Sequence, residues 1–305
     1  EMLKYGYSQR LAAGVVAAGG TLASLIPPSA ILVIYAIIVE ESIGRLLVAG
    51  FIPGIVSAII YAALIIVMAS RNPELGPPVK GFTWGDRIKS VPGTFPVLFV
   101  IFIIFFSMYT GTATPTEAGA LGSMVVFIMA LVGGMQWPTL KNALLETARL
   151  TVMIFSLVWG VLIFVRFMGF AELPAAFAEW VVALPFPPVV TMICILMFYV
   201  ILGMFMDAIG MLLLTLPVVY PAVIGLGYDP IWFGIVVVKM CEVCLITPPI
   251  GLNCYVVAGV RPDIPLQEVF RGIGPFFIAD VITLGVFLAW PEVITWLPDL
   301  MITRR

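Results

Sequence analysis

Residues 245–253 read Leu-Ile-Thr-Pro-Pro-Ile-Gly-Leu-Asn, and residues 20–29 read Gly-Thr-Leu-Ala-Ser-Leu-Ile-Pro-Pro-Ser. Each stretch places a Pro-Pro pair near the middle of a long apolar segment, one covering 231–260 and the other 11–39. Proline has no N–H group and clashes with the carbonyl four residues before it, so it interrupts a helix. The sequence therefore predicts two helices that are broken near their middle.

The composition indicates that these segments lie in a membrane. The 305 residues are 62% hydrophobic and 10% charged, whereas soluble domains have about 45–50% apolar and about 25% charged residues. Runs such as 95–108 (FPVLFVIFIIFFSM) are continuously apolar, whereas the strands of a lipid-facing barrel alternate apolar and polar residues. We therefore predict an all-α polytopic membrane protein in which apolar stretches of about 20 residues cross the bilayer.

The same composition argues against an enzyme and against a nucleic-acid-binding protein. The chain has no His, a net charge of −2 and no basic stripe. It thus lacks the commonest general base and metal ligand. Cys241 and Cys244 form an isolated C-x-x-C without partner ligands for zinc, and we interpret them as small residues within a helix. We expect no cofactor and no metal other than a sodium coupling ion.

Several more segments and linkers are predicted along the chain. Residues 136–149 and 171–184 are amphipathic, and the second is expected to be an interfacial helix with Trp180 at headgroup depth. The positive-inside rule places the basic loop 70–92 in the cytoplasm, together with 136–149 and 261–272. The further apolar segments are predicted at 46–68, 95–109, 117–135, 150–170 and 273–296.

Comparison of the chain with itself reveals a repeat. When Gly6-Tyr7 is aligned with Gly227-Tyr228, Pro27-Pro28 falls on Pro248-Pro249 without a gap. Under the predicted topology the two copies enter the membrane from opposite sides, so the repeat is inverted. Inverted repeats with paired broken helices are typical of secondary transporters, whose sites lie near the membrane midplane.

The segment before the second copy is predicted to be a hairpin. Residues 189–224 are apolar except for the interruption Gly203–Gly210 (GMFMDAIG), which puts Asp207 at the tip. An acidic residue in an apolar segment points to a functional site, and the alternative is a helix cap at the tip. The hairpin of the first copy would precede residue 1, so we interpret the chain as lacking that part.

The breaks predict an ion site. The first Pro-Pro pair releases the carbonyls of Ala23 and Ser24, and the second releases those of Cys244 and Leu245. An unpaired carbonyl in hydrocarbon costs several kcal/mol, and a dehydrated Na⁺ is suited to carbonyl and hydroxyl oxygens. The half-helix after each break directs N–H groups at an anion. The alternative is a plain kink whose carbonyls are satisfied by neighbouring Ser and Thr.

The two helix breaks and the tip of the hairpin define the predicted binding sites. The predicted sodium-binding residues are Thr21, Ala23, Ser24, Ile26, Gly203, Asp207, Cys244, Thr247 and Ile250. The predicted substrate-binding residues are Pro28, Ser29, Pro249 and Asn253.

Other polar groups have simpler interpretations. Thr114–Glu117 fits a helix capping box, and Lys239 and Glu242 are spaced to neutralise each other on one helix, with a proton relay as the alternative.

The chain carries a series of motifs in a fixed order. They are Gly20–Ser29 (GTLASLIPPS), Ala49–Gly54 (AGFIPG), Ala113–Ala118 (ATPTEA), Leu202–Asp207 (LGMFMD), Gly227–Pro230 (GYDP) and Leu245–Asn253 (LITPPIGLN). Together they resemble the large membrane subunit of the tripartite ATP-independent periplasmic (TRAP) transporters. The usual subunit is longer at its N-terminus, where it carries the first hairpin.

This resemblance implies a Na⁺-driven importer of an organic acid, such as a C4-dicarboxylate, sialic acid or a keto acid, in the bacterial inner membrane. It implies two protein partners, a small membrane subunit of four helices and a periplasmic substrate-binding protein. It also implies an elevator-type fold. The alternative function is a stand-alone ion-coupled carboxylate carrier without a binding protein.

The resemblance further implies a division of the chain into four parts. Residues 1–42 would form the first broken helix of a transport domain, and 43–184 the scaffold and arm helices with amphipathic linkers. Residues 185–262 would form the second hairpin and broken helix of the transport domain. Residues 263–305 would form a C-terminal scaffold helix.

Overall fold

The chain folds into helices. A computed structural model describes residues 1–78, 83, 85 and 91–302, and this part of the chain contains no β-strand. The α-helices are α1 (Gln9–Thr21), α2 (Ala30–Val39), α3 (Ile43–Ala49), α4 (Phe51–Arg71), α5 (Phe95–Tyr109), α6 (Pro115–Val132), α7 (Trp137–Phe170), α8 (Leu173–Val182), α9 (Pro188–Gly203), α10 (Ala208–Gly225), α11 (Pro230–Ile246), α12 (Leu252–Val260), α13 (Leu266–Ala289) and α14 (Glu292–Ile302). The predicted all-α class is confirmed.

Several of these helices are long and apolar enough to cross a membrane. Among the described residues they are Ile43–Arg71, which joins α3 and α4, and the helices α6, α7, α10 and α13. A spanning helix needs about 20 mostly apolar residues. The halves of the broken helices are shorter, so each broken helix spans only as a pair of halves. The polytopic membrane class predicted from composition is confirmed.

The first broken helix consists of α1 and α2. Gly6 adopts a left-handed φ of 81°, and the Ser8 hydroxyl accepts a hydrogen bond from the N–H of Leu11 at 3.1 Å, which caps α1. The chain then tightens into a 3₁₀ turn at Leu22–Ser24. After the proline pair, the Ser29 hydroxyl caps α2. The break lies where the sequence predicts it.

The second broken helix, α11 with α12, begins with the same local structure. Gly227 has a φ of 88°, and the Asp229 carboxylate accepts a hydrogen bond from the N–H of Trp232 at 2.8 Å. These residues align with Gly6 and Ser8 in the repeat. Both Pro-Pro peptide bonds are cis. The two copies thus share a left-handed glycine, a side-chain cap and a proline break in the same order.

The two broken helices run in opposite directions. The start of the chain packs against the end of α12, where Leu3 and Val257 join one apolar cluster. The amide of Asn253, at the start of α12, donates to the carbonyl of Ala17 in the second half of α1 at 3.0 Å. Early residues of one half therefore meet late residues of the other. This antiparallel pairing is what an inverted repeat requires.

The predicted hairpin is formed by α9 and α10. The hydroxyls of Tyr199 and Thr215 share a buried hydrogen bond of 2.7 Å between the two helices. Helix α8 lies within the predicted interfacial segment 171–184, and it packs along α10. On α8, Val181 is buried and Trp180 is exposed. The hairpin is therefore supported by a neighbouring helix along its second arm.

Helix α7 differs from the prediction. Residues 136–149 were predicted to be an amphipathic linker separate from the span 150–170, but the structure has one continuous helix. The physical reason is local: after Pro138 no proline occurs before Pro174, and each further turn of an existing helix adds a hydrogen bond. A change from polar to apolar side chains does not end a helix.

The last span also differs from the prediction of 273–296. Helix α13 begins seven residues earlier, at Leu266, and ends at Ala289. Trp290 leaves the helical region, with φ −131° and ψ 79°, because the following Pro291 disfavours the α conformation at the residue before it. The chain restarts as α14, so the predicted single segment is wrong at both ends.

The contacts divide the chain into two compact units, one made of 1–80 and 172–305 and the other of 81–171. In the second unit α5 packs on α6, where a Cβ on Gly122 would lie 2.6 Å from Cδ1 of Ile104. In the first unit α1 crosses α13 so closely that a Cβ on Gly14 would overlap the carbonyl of Gly272. The predicted four-part division remains a prediction.

The predicted orientation also remains a prediction. The predicted cytoplasmic loop 70–92 includes residues 79–82, 84 and 86–90, which lie outside the described residues. The hairpin predicted to precede residue 1 lies outside them as well.

Candidate ion and substrate site at the helix breaks

The first break satisfies one of its two released carbonyls. The Ser29 hydroxyl donates a hydrogen bond to the carbonyl of Ser24, and it accepts one from the N–H of Leu32 at 3.2 Å. The carbonyl of Ala23 receives no hydrogen bond from the described residues. The alternative of a kink satisfied by neighbouring hydroxyls therefore applies to Ser24 and not to Ala23.

The second break likewise satisfies one of its two released carbonyls. The N–H of Thr247 donates to the carbonyl of Cys244 at 3.3 Å, and the Thr247 hydroxyl donates to the carbonyl of Val243 at 2.6 Å. The carbonyl of Leu245 receives no hydrogen bond within the part of the chain that is described. Of the two carbonyls released at each break, one thus receives no hydrogen bond from the described residues and is available to a cation.

The remaining predicted residues of the first site lie in two environments. Thr21 is fully buried, and its hydroxyl donates to the carbonyl of Ala18 at 2.7 Å. Ile26 packs against Gly54, where a Cβ would meet its Cγ1 at 2.5 Å. Pro28 is exposed. The first break is therefore held against α4 by an apolar contact and is open at Pro28.

The hairpin covers the second break. Gly203, at the end of α9, lies so close to Cys244 that a Cβ on the glycine would overlap the sulfur. The sulfur of Cys241 lies 3.9 Å from the carbonyl oxygen of Ala208, at the start of α10. The hairpin thus brings together Gly203 and Cys244, two of the residues predicted to bind sodium. Small side chains in the C-x-x-C allow this close approach.

Asp207 caps the second arm of the hairpin. Its carboxylate accepts hydrogen bonds from the N–H groups of Ile209 at 3.1 Å and Gly210 at 3.2 Å. The side chain is exposed. The structure therefore shows the capping role that the sequence left as the alternative. Sodium binding by Asp207 stays a prediction.

The two breaks differ in how they present a helix N-terminus. The start of α2 is closed by the Ser29 hydroxyl. The start of α12 has no side-chain cap from the residues that the structure describes, because its N-cap residue is Gly251, which has a φ of 45°. Pro249 and Ile250 beside it are exposed. An uncapped helix start leaves backbone N–H groups free for an anion, so the α12 terminus is the more open of the two predicted anion sites.

A buried ionic cluster lies beside the second broken helix. The Lys239 ammonium is 2.7 Å from Oε2 of Glu242 and 2.7 Å from Oδ1 of Asp280. The hydroxyl of Tyr61 donates to the same Asp280 oxygen at 2.7 Å. The predicted pairing of Lys239 with Glu242 is confirmed.

Sequence reasoning missed two members of this cluster, Asp280 and Tyr61. An acidic residue in a membrane span needs a charged or polar partner, so the sequence indicates that Asp280 has one. Its partner is far away in sequence, and helix periodicity relates only residues within one helix.

The predicted capping box at the start of α6 is present. Oε2 of Glu117 accepts a hydrogen bond from the N–H of Thr114 at 2.7 Å, and the N–H of Glu117 donates to the Thr114 hydroxyl at 3.4 Å. Capping alone accounts for these side chains.

Two antiparallel broken helices, with a hairpin covering one break, define a secondary-transporter type of membrane protein. Residues 1–293 match the family described as the tripartite ATP-independent periplasmic transporter, DctM component. The chain therefore belongs to this family, whose members are the large membrane subunits that the motifs resemble.

Curated relatives agree with this assignment. The C4-dicarboxylate TRAP transporter large permease protein of Pseudomonas aeruginosa is 32% identical over 300 residues, which cover 98% of this chain and 70% of the relative. The 2,3-diketo-L-gulonate TRAP transporter large permease protein of Escherichia coli is 31% identical, covering 96% and 69%. The sialic acid TRAP transporter large permease protein of Vibrio cholerae is 29% identical, covering 97% and 69%.

Membership of the family establishes the general role of the chain. It is a multi-pass protein of the bacterial inner membrane and a transporter component rather than an enzyme. It imports a substrate together with a periplasmic binding protein and a small membrane subunit. This finding argues against the alternative of a stand-alone carrier.

Adding a methyl group at Gly203 tests the contact between hairpin and break. Gly203→Ala is expected to lower thermal stability by about 1–3 kcal/mol through overpacking, and to slow substrate uptake, because its Cβ would occupy the position of the Cys244 sulfur. Thermal unfolding of the purified complex and uptake into proteoliposomes measure the two effects.

Gly285→Ala is the matched control, because a Cβ there meets no atom of the described residues within 4 Å. Adding Cys244→Gly to Gly203→Ala should restore part of the lost uptake. Equal behaviour of Gly203→Ala and Gly285→Ala would show that the contact is unimportant.

Proposed function

We propose that this subunit imports an organic acid by coupling its uptake to entry of Na⁺. The carrying observation is that each of two opposed helix breaks presents a carbonyl without a hydrogen-bond donor from the described residues, Ala23 in one and Leu245 in the other. Carbonyl oxygens at the broken helices of inverted-repeat transporters coordinate the coupling ions. A cation also offsets the cost of leaving such oxygens unpaired in a membrane.

The first proposed sodium site surrounds the first break. Its ligands would come from the hydroxyl of Thr21 and the backbone at Ala23, Ser24 and Ile26. Thr21 is buried, whereas Ala23 is exposed, so this site has a closed side and an open side. The open side gives the ion a way in.

The second proposed sodium site lies between the hairpin and the second break. The proposed ligands are Gly203, Asp207, Cys244, Thr247 and Ile250. The close contact of Gly203 with Cys244 supports this grouping, since it places the end of the first hairpin arm directly at the break. Small residues there allow the hairpin and the break to approach each other closely.

The proposed substrate site adjoins the start of α12. A carboxylate would accept hydrogen bonds from the free N–H groups after Gly251, with Pro249 and Asn253 beside it. Ser29 and Pro28 would line the opposite break, where Ser29 already caps α2. A C4-dicarboxylate, sialic acid and a keto acid all carry the carboxylate that this site requires.

The two broken helices are joined by a hydrogen bond, which supports a concerted movement. The amide of Asn253 reaches across to the carbonyl of Ala17, so the start of α12 is tied to the second half of α1. We propose that the broken helices move together in an elevator-type cycle. The small membrane subunit, which we expect to have four helices, would remain with the fixed part.

Uptake by the reconstituted complex tests this function. The large and small subunits in proteoliposomes, supplied with the binding protein and a labelled organic acid, should accumulate substrate only under an inward Na⁺ gradient. Replacing Na⁺ by K⁺ at the same ionic strength should reduce uptake to the level of empty liposomes. Undiminished uptake in K⁺ would refute the sodium coupling. Uptake that did not depend on the binding protein would restore the stand-alone carrier.

A further inference from the structure

Helix α4 carries a buried hydroxyl that has no partner among the residues that the structure describes. Ser57 is 0% exposed, and its Oγ makes no hydrogen bond within that part of the chain. A serine inside a helix can donate to a carbonyl of the preceding turn, as Ser107 and Ser123 do at 2.9 Å and 2.8 Å. Burying a hydroxyl without a hydrogen bond is unfavourable, so Ser57 is expected to have a partner that the described residues do not supply.

Two contacts made by the same face of α4 place Ser57 against the first break. Three residues before it, Gly54 packs on Ile26, where a Cβ on the glycine would lie 2.5 Å from Cγ1 of the isoleucine. Four residues after it, the hydroxyl of Tyr61 interacts with the side chain of Thr21. Residues three and four apart lie on one face of a helix. Ser57 therefore lies between contacts with two residues of the first proposed sodium site.

The order of these contacts shows which part of the break faces Ser57. The contact before Ser57 reaches Ile26, and the contact after it reaches Thr21, so α4 runs antiparallel to this part of the first broken helix. The stretch opposite Ser57 is therefore the 3₁₀ turn Leu22–Ser24. This turn includes Ala23, whose carbonyl receives no hydrogen bond from the described residues. A hydroxyl and a carbonyl that both lack partners thus belong to facing elements.

We propose that Ser57 is a ligand of the coupling cation, so that α4 contributes an oxygen to the first sodium site. This inference rests on the proposed function, because it takes the cation to be Na⁺. Hard cations are bound by oxygen ligands, and a hydroxyl oxygen offers two lone pairs. Ser57 and Thr21 would supply hydroxyl oxygens on the buried side of the ion, and the backbone of the break would supply carbonyl oxygens on the other side.

The polar groups around Ser57 favour a cation over an anion. The hydroxyl of Tyr61 donates its proton to a carboxylate, and the hydroxyl of Thr21 donates its proton to a backbone carbonyl. The carbonyl of Ala23 has lone pairs only. The described neighbours thus offer lone pairs rather than protons, and lone pairs that converge on one place attract a positive ion. A buried water molecule is the other partner that could fit, and the experiment below distinguishes it from the ion.

A ligand on α4 links binding of the ion to packing of this helix. The backbone ligands of the first site belong to the broken helix, whereas Ser57 belongs to a different helix. An ion bound by both would hold α4 and the break together. Because such an ion binds the folded protein and not the unfolded chain, Na⁺ should stabilise the folded protein.

Thermal unfolding at varied Na⁺ concentration tests the ligand without any transport. The purified complex of large and small subunits is titrated with NaCl, with choline chloride keeping the ionic strength constant. The Tm of the unaltered complex should rise with Na⁺. Ser57→Ala should need about 10- to 100-fold more Na⁺ for the same rise, because it loses one oxygen bound to a charge. Half-saturation of uptake by Na⁺ in proteoliposomes should shift in the same direction.

Two further variants separate binding from packing. Ser57→Cys keeps the size of the side chain but replaces the oxygen by a soft sulfur that binds hard cations poorly, so it should behave like Ser57→Ala. Ser123→Ala, at an exposed position of α6, should behave like the unaltered complex.

The outcomes separate this inference from the proposed function. A Na⁺ response that is the same in Ser57→Ala and in the unaltered complex would overturn the role of Ser57 alone, and would leave water as its partner. A Ser57→Cys variant that responds to Na⁺ like the unaltered complex would likewise show that the position matters only for packing. Absence of any Na⁺ response in the unaltered complex would overturn both the inference and the sodium coupling.

Discussion

Replacing Pro248 and Pro249 together by alanine is expected to abolish transport while leaving membrane insertion intact. Alanine restores the N–H groups that proline lacks and relieves its clash with the preceding turn. The N–H of residue 249 could then bond the carbonyl of Leu245, which now has no donor from the described residues. Helices α11 and α12 would join, and both the open carbonyl and the open N-terminus would disappear. Uptake into proteoliposomes should fall at least about 100-fold, since ion and substrate sites are lost together.

The matched control removes two prolines from another apolar helix. Pro217 and Pro221 lie inside α10, away from both breaks in the sequence, and their replacement by alanine should leave most of the uptake. Size-exclusion chromatography of both double variants checks that they are inserted and folded. Normal uptake by the Pro248/Pro249 variant would remove the break from the mechanism.

Lys239→Met is expected to destabilise the protein by about 3–5 kcal/mol, because it leaves a buried carboxylate without its counter-ion. Lys239 and its partners Glu242 and Asp280 have fully buried side chains, so neither water nor salt can replace the lost charge. The measurement is thermal unfolding of the purified complex, together with its yield from membranes. Lys141→Met, on an exposed position of α7, should change neither quantity.

Second-site substitutions distinguish the loss of the Lys239 ion pairs from the loss of packing by its side chain. Adding Asp280→Asn to Lys239→Met should restore most of the stability, because it removes the stranded carboxylate. Adding Glu242→Gln instead should also restore part of the stability, because Glu242 is the other carboxylate paired with Lys239. Failure of both double variants to recover would mean that the lysine acts through packing of its aliphatic chain.

The elements that the sequence predicted well are those with local causes. The breaks follow from the chemistry of Pro27-Pro28 and Pro248-Pro249, and the cap at Asp207 follows from its position before α10. In each of these the deciding interaction lies within a few residues, which is the range over which sequence patterns carry information.

The elements that the sequence predicted poorly are boundaries set by competing local signals. Polar residues before Leu150 suggested a linker, although nothing there stops a helix, and α7 continues through it. At the other end of the chain the apolar run continues past Pro291, but the proline ends α13 before it. Hydropathy describes the surroundings of a segment, and backbone hydrogen bonding decides where the helix ends.

The two Pro-Pro breaks were determined by the sequence itself, because a missing N–H group interrupts a helix in any surroundings. Only the tertiary structure decided what lies against them. It placed Gly203 on Cys244 and tied Asn253 to Ala17, and it joined Lys239 to Asp280 and Tyr61 in one buried cluster. These contacts connect residues far apart in the chain, and which of them form depends on how whole helices pack, a property that no single segment contains.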